Sequence, residues 1–167
     1  MNALLQPGLP WQRPMTVQDL DEVLAIEVGS YSFPWSRGNF IDSLAAGYLA
    51  EVRLDAQGQC LGYCVAMAGF EEMHLLNITV APGHLRQGHA RAMLARLAEQ
   101  ARQRGDRKLW LEVRQGNLAA RQLYEAFGFT HVSVRKAYYP GPQGRREDAV
   151  VMSLALDAQG APPHALD

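Results

Sequence analysis

Glu112 is the residue of this chain that its neighbours best prepare for proton transfer. It falls in Lys108–Arg114 (KLWLEVR), where alternation sets Leu109, Leu111 and Val113 on one face and Trp110, Glu112 and Arg114 on the other. A carboxylate flanked this way is partly desolvated, which raises its pKa towards a value useful for taking a proton near neutrality. The alternative is a surface carboxylate paired in the neighbourhood of Arg114. Tyr124 offers a phenol, but it sits on the apolar stripe Ala120, Leu123, Tyr124 and Phe127 of a helix. A core tyrosine therefore competes with the chemical reading.

Anion binding is the second chemistry. A short apolar strand, Leu75–Val80, breaks at Ala81-Pro82-Gly83 and leads into a long helix through Arg86, Gln87, Gly88, His89, Ala90 and Arg91. A strand, a glycine-bearing turn and a helix present bare N–H groups and the positive dipole end to one point, as a phosphate requires. Neither G-x-x-x-x-G-K-[ST] nor G-x-G-x-x-G occurs, so backbone would hold that phosphate without a lysine or a magnesium-binding hydroxyl. A plain strand–helix corner explains the same residues without any ligand. Cys60 and Cys64 share one expected strand, with Cα atoms about 13 Å apart, too far for a disulfide. No His pair stands near them at zinc spacing, so both read as reduced packing residues and no metal is expected.

An α/β chain is needed to position these groups. Trp11–Met15 reads as a first strand, and Thr16 starts a helix with Asp19 as capping-box partner and Leu20, Val23, Leu24 and Ile26 on its apolar face. Ser36 caps a second helix ending near Gly47. Strands at Tyr48–Leu54 and Cys60–Phe70 flank a turn at Asp55-Ala56-Gln57-Gly58. After the central strand, Ala90, Met93, Leu94, Leu97, Ala98 and Ala101 mark one helix face, closed by Gly105. Asn117 caps a further helix that Gly128 ends, and Phe129–Tyr138 and Asp148–Ala155 are strands around a turn at Tyr139–Arg146. The order predicts a mixed sheet: hairpin-type strands first, then parallel crossovers on either side of the central helix.

At 167 residues, 48% apolar and 20% charged, the chain has the size and composition of one soluble domain. We expect that domain over residues 11–156, with a flexible arm at 1–10 and a disordered tail at 157–167. No apolar run is long enough to cross a bilayer and no signal-like start is present, so a cytoplasmic protein with no membrane partner is expected. Residues 1–85 carry three Lys or Arg against nine Asp or Glu, a net −6, and residues 86–167 carry thirteen against eight, a net +5. This is either uneven surface composition or a basic half for an anionic cofactor and an acidic half for a cationic substrate. Segment 86–108 is basic, but no aromatic platform interleaves its charges, so no direct nucleic-acid binding is expected.

Several motifs, taken together and in order, resemble one family. N-I-T-V at 77–80, R-Q-G-H-A-R at 86–91, L-E-V-R at 111–114, Asn117 and L-Y-E-A-F-G-F at 123–129 resemble the GNAT superfamily of acetyl-coenzyme A-dependent N-acetyltransferases. Within it, F-P-W-S at 33–36, L-W-L-E-V-R, and Y-Y-P at 138–140 followed by E-D-A at 147–149 are similar to the bacterial RimI-type ribosomal-protein alanine N-acetyltransferases. The resemblance spans about residues 11 to 155. It implies a single α/β domain whose mixed, mostly antiparallel sheet is split around acetyl-CoA and flanked by helices. It also implies that the backbone of Ile78, Thr79 and Val80 holds the pantetheine arm. Backbone N–H groups of Arg86, Gln87, Gly88, His89, Ala90 and Arg91 would cradle the pyrophosphate, with Asn117 touching the cofactor. Glu112 is then the general base and Tyr124 the general acid, acting on a basic N-terminal peptide of a ribosomal protein.

Phe33, Trp35, Tyr138 and Tyr139, with Pro34 and Pro140, suit a rigid groove for an extended peptide, although aromatics in such loops also serve as plain packing. Glu71 and Glu72 are candidates to attract the basic residues of that peptide. Alternative acceptors are another protein N-terminus, a lysine or a small amine. A non-catalytic acyl-CoA-binding module is the rival from another class, and it needs neither Glu112 nor Tyr124. Leu85 stands where the family's turn usually opens with Gln or Arg, which removes a side chain but leaves the backbone donors.

Overall fold

The computed structural model describes residues 8–157. The expected arm and tail lie outside the described residues except for Gly8-Leu9-Pro10 and Asp157. The elements follow the expected order: β1 Trp11–Pro14, α1 Leu20–Ser30, α2 Arg37–Ala45, β2 Leu49–Leu54, β3 Cys60–Ala68, β4 Glu72–Val80, α3 His89–Arg104, β5 Lys108–Arg114, α4 Leu118–Phe127, β6 Thr130–Pro140 and β7 Arg146–Ala155. The strands form one seven-stranded sheet in the order β1-β2-β3-β4-β5-β7-β6. β4 and β5 are parallel, while β1/β2, β2/β3, β5/β7 and β6/β7 are antiparallel. The α/β class and the mostly antiparallel mixed sheet are as expected. The second parallel crossover differs: β7 inserts antiparallel between β5 and β6, so α4 joins strands that are not neighbours.

Some boundaries differ for local reasons. Val17–Asp19 is a 3-10 turn ahead of α1, because the Asp19 carboxylate accepts from Thr16 N–H at 2.8 Å and is forked by Arg13. β4 begins at Glu72, ahead of the expected Leu75, since Glu72 to Leu75 pair with Lys108 to Leu111. That register ends at Leu75, and β4 runs on to Val80. α3 begins at His89, because Arg86 and Gly88 adopt φ of 61° and 86°, which no α-helix contains. β6 extends to Pro140 and β7 starts at Arg146, a longer hairpin than expected.

Contacts gather into two compact units: one holds residues up to Ala66 with Asn77–Met93, the other Met67–Leu76 with the chain from Leu94. In the first, Leu20, Val23, Phe40, Val52, Tyr63 and Met93 are buried. Gly62 of β3 is required there by close approach: a Cβ would lie 2.5 Å from Thr79 O and 3.1 Å from Met93 Cε. In the second, Met73, Leu94, Leu97, Ala98, Ala101, Leu109, Leu111 and Met152 are buried. The helix stripe and the strand alternation read from the sequence thus account for much of both cores. Cys60 and Cys64 are free and buried, and burial pushes the Cys60 thiol up to about 11, which keeps it protonated and inert.

Candidate active site

In the second unit, β5 alternation turns Glu112 away from the core face, as expected, but its surroundings are not merely apolar. The side chain is a tenth exposed, and His74 Nε2 lies 3.2 Å from its Oε2. Arg135 Nη2 stands 3.8 Å from its Oε1, and the Arg135 guanidinium lies 5.5 Å from the Tyr138 ring centroid, which brings the phenol beside this pair. An ionised carboxylate only accepts, so His74 Nε2 carries the hydrogen. Burial pushes the Glu112 pKa up, but His74, Arg135 and Tyr138 together outweigh burial and hold it below the ordinary range. This corrects the expected upward shift. Desolvation was the only influence visible in KLWLEVR, whereas the opposing donors come from β4 and β6. Arg114, the expected partner, bonds instead to Glu147 Oε1 at 3.1 Å and to Pro140 O at 2.8 Å.

His74 is the neighbour of Glu112 that the motif reading missed. Its ring stacks on Trp110 with centroids 3.6 Å apart and planes at 7°, so stacking and the Glu112 bond together fix its orientation. The signal was present in the sequence. The parallel register pairs His74 with Trp110, so His74 shares a face with Trp110 and Glu112 once β4 is extended back to Glu72.

Tyr138 and Tyr139 surround the same carboxylate. Their rings meet edge to face at 4.9 Å, and the Arg114 guanidinium lies 4.6 Å from the Tyr139 ring centroid. Burial raises both phenol pKa values, and the Glu112 charge raises them further, so both stay protonated. Tyr124 is buried in α4 with its ring 5.6 Å from that of Phe129. Asn117 caps α4, its Oδ1 accepting from Ala120 N–H at 3.2 Å. Glu71 and Glu72, expected to attract a basic peptide, are engaged otherwise: Glu71 faces Arg107 at 3.9 Å and Glu72 pairs with Lys108 at 3.3 Å.

In the first unit, Ile78, Thr79 and Val80 close β4, beyond its last residue paired with β5. Tyr31 Oη lies 2.7 Å from Thr79 Oγ1 and donates to Ile78 O at 3.3 Å. Arg86, Gln87, Gly88, His89, Ala90 and Arg91 form the turn and first residues of α3. Ala92 N–H bonds back to Gly88 O at 3.0 Å, so Gly88 opens the first turn of α3, whose amides point towards its N-terminal end. With two left-handed residues before it, this helix start fits a diphosphate held by backbone. A Cβ on Gly88 would meet nothing within 4 Å, so its φ is what demands glycine. His89 Nδ1 accepts from Arg53 Nε at 2.9 Å, and burial, then Arg53 and His84, hold the imidazole below its usual pKa and neutral. Leu85 is exposed.

The loop after α1 divides its aromatics. Phe33 is 43% exposed, whereas the Trp35 ring packs on Phe40 at 5.1 Å and the Trp35 backbone N–H donates to Glu27 Oε2 at 3.0 Å. Glu27 is buried, and its Oε1 also accepts from Tyr63 Oη at 2.6 Å and Asn77 Nδ2 at 3.0 Å. Among the described residues no group of three or more His, Cys, Asp or Glu could hold a metal ion, and no helix is long and apolar enough to cross a membrane.

The sequence and the fold resemble those of known proteins. The chain is 37% identical to the "[Ribosomal protein bS18]-alanine N-acetyltransferase" of Haemophilus ducreyi, over 83% of this chain and 95% of that protein. It is 38% identical to the enzyme of that name from Escherichia coli K12, over 83% of this chain and 92% of the relative. The crystal structure of the ribosomal-protein-S18-alanine N-acetyltransferase from Escherichia coli superposes with a TM-score of 0.83 at 34% identity, covering 93% of this chain and 98% of that one. Residues 20–129 match the model of the acetyltransferase (GNAT) family. The chain belongs to the acetyltransferase (GNAT) family and is an acetyl-CoA-dependent N-acetyltransferase.

Proposed function

We propose that this enzyme acetylates the α-amine of an N-terminal alanine on ribosomal protein bS18, in the cytoplasm, with Glu112 as proton acceptor and Tyr124 as proton donor. The substrate follows the names of the relatives. The observation that carries the mechanism is the largely enclosed Glu112 carboxylate held ionised by His74, Arg135 and Tyr138. An α-amine of pKa ~7.7–8 arrives mostly as ammonium at neutral pH. An always-ionised carboxylate attracts that ammonium and accepts its hydrogen bond. An ammonium has no lone pair, so it must first give up this proton, an uphill transfer to so weak a base, and only the resulting amine attacks the thioester carbon.

Acetyl-CoA supplies the acetyl group as a thioester and leaves as a thiol. The Ile78–Val80 backbone holds its arm, residues 86–91 its pyrophosphate, and Asn117 an outer contact, while Tyr124 returns a proton to the sulfur. Phe33 and Tyr138 are exposed candidates for peptide contacts, each in its own unit, with Trp35 and Tyr139 as the further aromatic candidates. The net −6 of residues 1–85 favours a basic peptide. Mass spectrometry of a peptide panel tests this. A peptide starting with Ala followed by Arg or Lys should gain one acetyl at its α-amine faster than one followed by Asp or Glu, and salt should narrow the gap. Acetylation at lysine side chains or free small amines instead would contradict the reading.

A further inference from the structure

The β6–β7 hairpin contains an irregularity that sequence patterning does not foretell. Arg135 pairs with Ala149, and the next paired residue, Tyr139, faces Glu147, so Lys136, Ala137 and Tyr138 together oppose Asp148 alone. Ala137, at the centre of this bulge, has φ of 51°, a left-handed conformation that is unfavourable for a non-glycine residue. Such a conformation persists only where its surroundings hold it.

β7 supplies the holding groups. Asp148 Oδ1 accepts from Ala137 N–H at 2.8 Å. Arg146 donates from Nε to Ala137 O and from Nη2 to Tyr138 O, both at 2.8 Å, so one guanidinium grips two consecutive carbonyls. Strand alternation puts Arg146 and Asp148 on one side of β7 and Glu147 on the other, where Glu147 takes Gly116 N–H and Arg114. The consequence lies in the tyrosines. Consecutive residues of a regular strand face opposite ways, yet the Tyr138 ring lies 5.5 Å from the Arg135 guanidinium that faces Glu112 at 3.8 Å, and the Tyr139 ring meets that of Tyr138 edge to face at 4.9 Å.

We propose that Arg146 and Asp148 are positioning residues that clamp the left-handed bulge of β6 and thereby hold Tyr138 beside the Arg135–Glu112 pair, where the peptide N-terminus is received. This rests on Tyr138 being a peptide contact. Arginine is required at 146 because lysine, with a single ammonium, cannot fork two carbonyls. The clamp acts on the peptide side of the reaction alone, so acetyl-CoA recognition is independent of it.

The test combines kinetics with amide exchange on the full chain. Asp148→Ala and Arg146→Lys should each raise the peptide KM about tenfold, the loss of one good hydrogen bond, and leave the acetyl-CoA KM unchanged. Exchange at the Ala137 amide should quicken about tenfold in Asp148→Ala. Adding Ala137→Gly to Asp148→Ala should recover most of the peptide KM, because glycine adopts the left-handed φ without support. A clamp of general stability only would lower Tm and shift both KM values together, with no selective recovery, and that result overturns the proposal. Unchanged Ala137 exchange overturns it as well. Tyr138→Ala separates the premise: if it leaves the peptide KM unchanged while exchange responds as expected, the substrate reading of Tyr138 fails and the proposal falls with it. If Tyr138→Ala raises the peptide KM and the clamp variants do not, the proposal alone is wrong.

Discussion

Glu27 and Glu112 are two carboxyl groups enclosed by one chain in opposite ways. Glu27 takes three donors, Tyr63 Oη, Asn77 Nδ2 and Trp35 N–H, and none of these carries a charge. It ties α1, the Phe33-Pro34-Trp35 loop, β3 and β4 together within its unit. Glu112 is met by an imidazole, a guanidinium and a phenol, and a tenth of its side chain remains open. Uncharged donors that saturate a buried carboxyl build structure. A guanidinium and further donors that keep a carboxylate ionised yet reachable build a site for an incoming ammonium.

The comparison can be broken most visibly at Glu112. Glu112→Gln should lower turnover roughly 10²–10⁴-fold at neutral pH, with acetyl-CoA affinity and Tm little changed. A rate within a few-fold of wild type would remove Glu112 from proton transfer. Glu27→Ala should act in the reverse sense. It strands three donors in a dry interior, so thermal unfolding should begin roughly 10 °C lower, with the main loss in stability rather than in rate per folded molecule. An unchanged Tm would reduce Glu27 to a spectator.

How the two carboxyls escaped or met the sequence reading is itself instructive. Leu20, Val23, Leu24 and Glu27 follow the i, i+3, i+4, i+7 spacing, but the reading placed Ile26 on that face because Glu27 is not apolar. Pattern rules that count hydrophobes pass over a polar residue buried with its donors. Glu112 was found because strand alternation is local, and its direction on β5 needed no tertiary knowledge. Its pKa shift had the wrong sign because His74 and Arg135 reach it only through the parallel β4/β5 register and the β6/β7 hairpin. Element order, helix caps at Ser36 and Asn117 and the α3 stripe were legible for the same local reason. The bulge at Ala137 was not, since an alanine in a left-handed conformation leaves no mark in the sequence.

Smaller perturbations sharpen the contrast. Gly88→Ala should weaken acetyl-CoA binding about fivefold by calorimetry, because alanine strains a φ of 86° in open space, and Gly88→Glu should weaken it further through charge. Equal affinity in both variants would place the pyrophosphate elsewhere. His74→Ala should move the Glu112 titration, followed by carboxyl carbon NMR, upward from its depressed position, since burial then faces fewer donors. The sign follows from linkage. A depressed carboxylate pKa contributes stability above its unfolded value and loses it as pH falls through the folded one, so His74→Ala should also be less resistant to mild acid. A titration unmoved by the loss of His74 would return the shift to Arg135 and Tyr138.

The pH dependence of kcat/KM for an Ala-initiated peptide, measured on wild type and Glu112→Gln together, tests the account most directly. Glu112 is already ionised across this range, so the wild-type rate should climb with deprotonation of the peptide amine, near pKa ~7.7–8, with no further break between pH 5 and 7 that belongs to Glu112. The deficit of Glu112→Gln should be greatest at low pH and shrink above pH ~8, where the amine arrives without its proton. Two profiles separated by a constant factor at every pH, or a wild-type break near pH 6–7 that Glu112→Gln abolishes, would contradict a carboxylate kept ionised to receive the proton of the attacking amine.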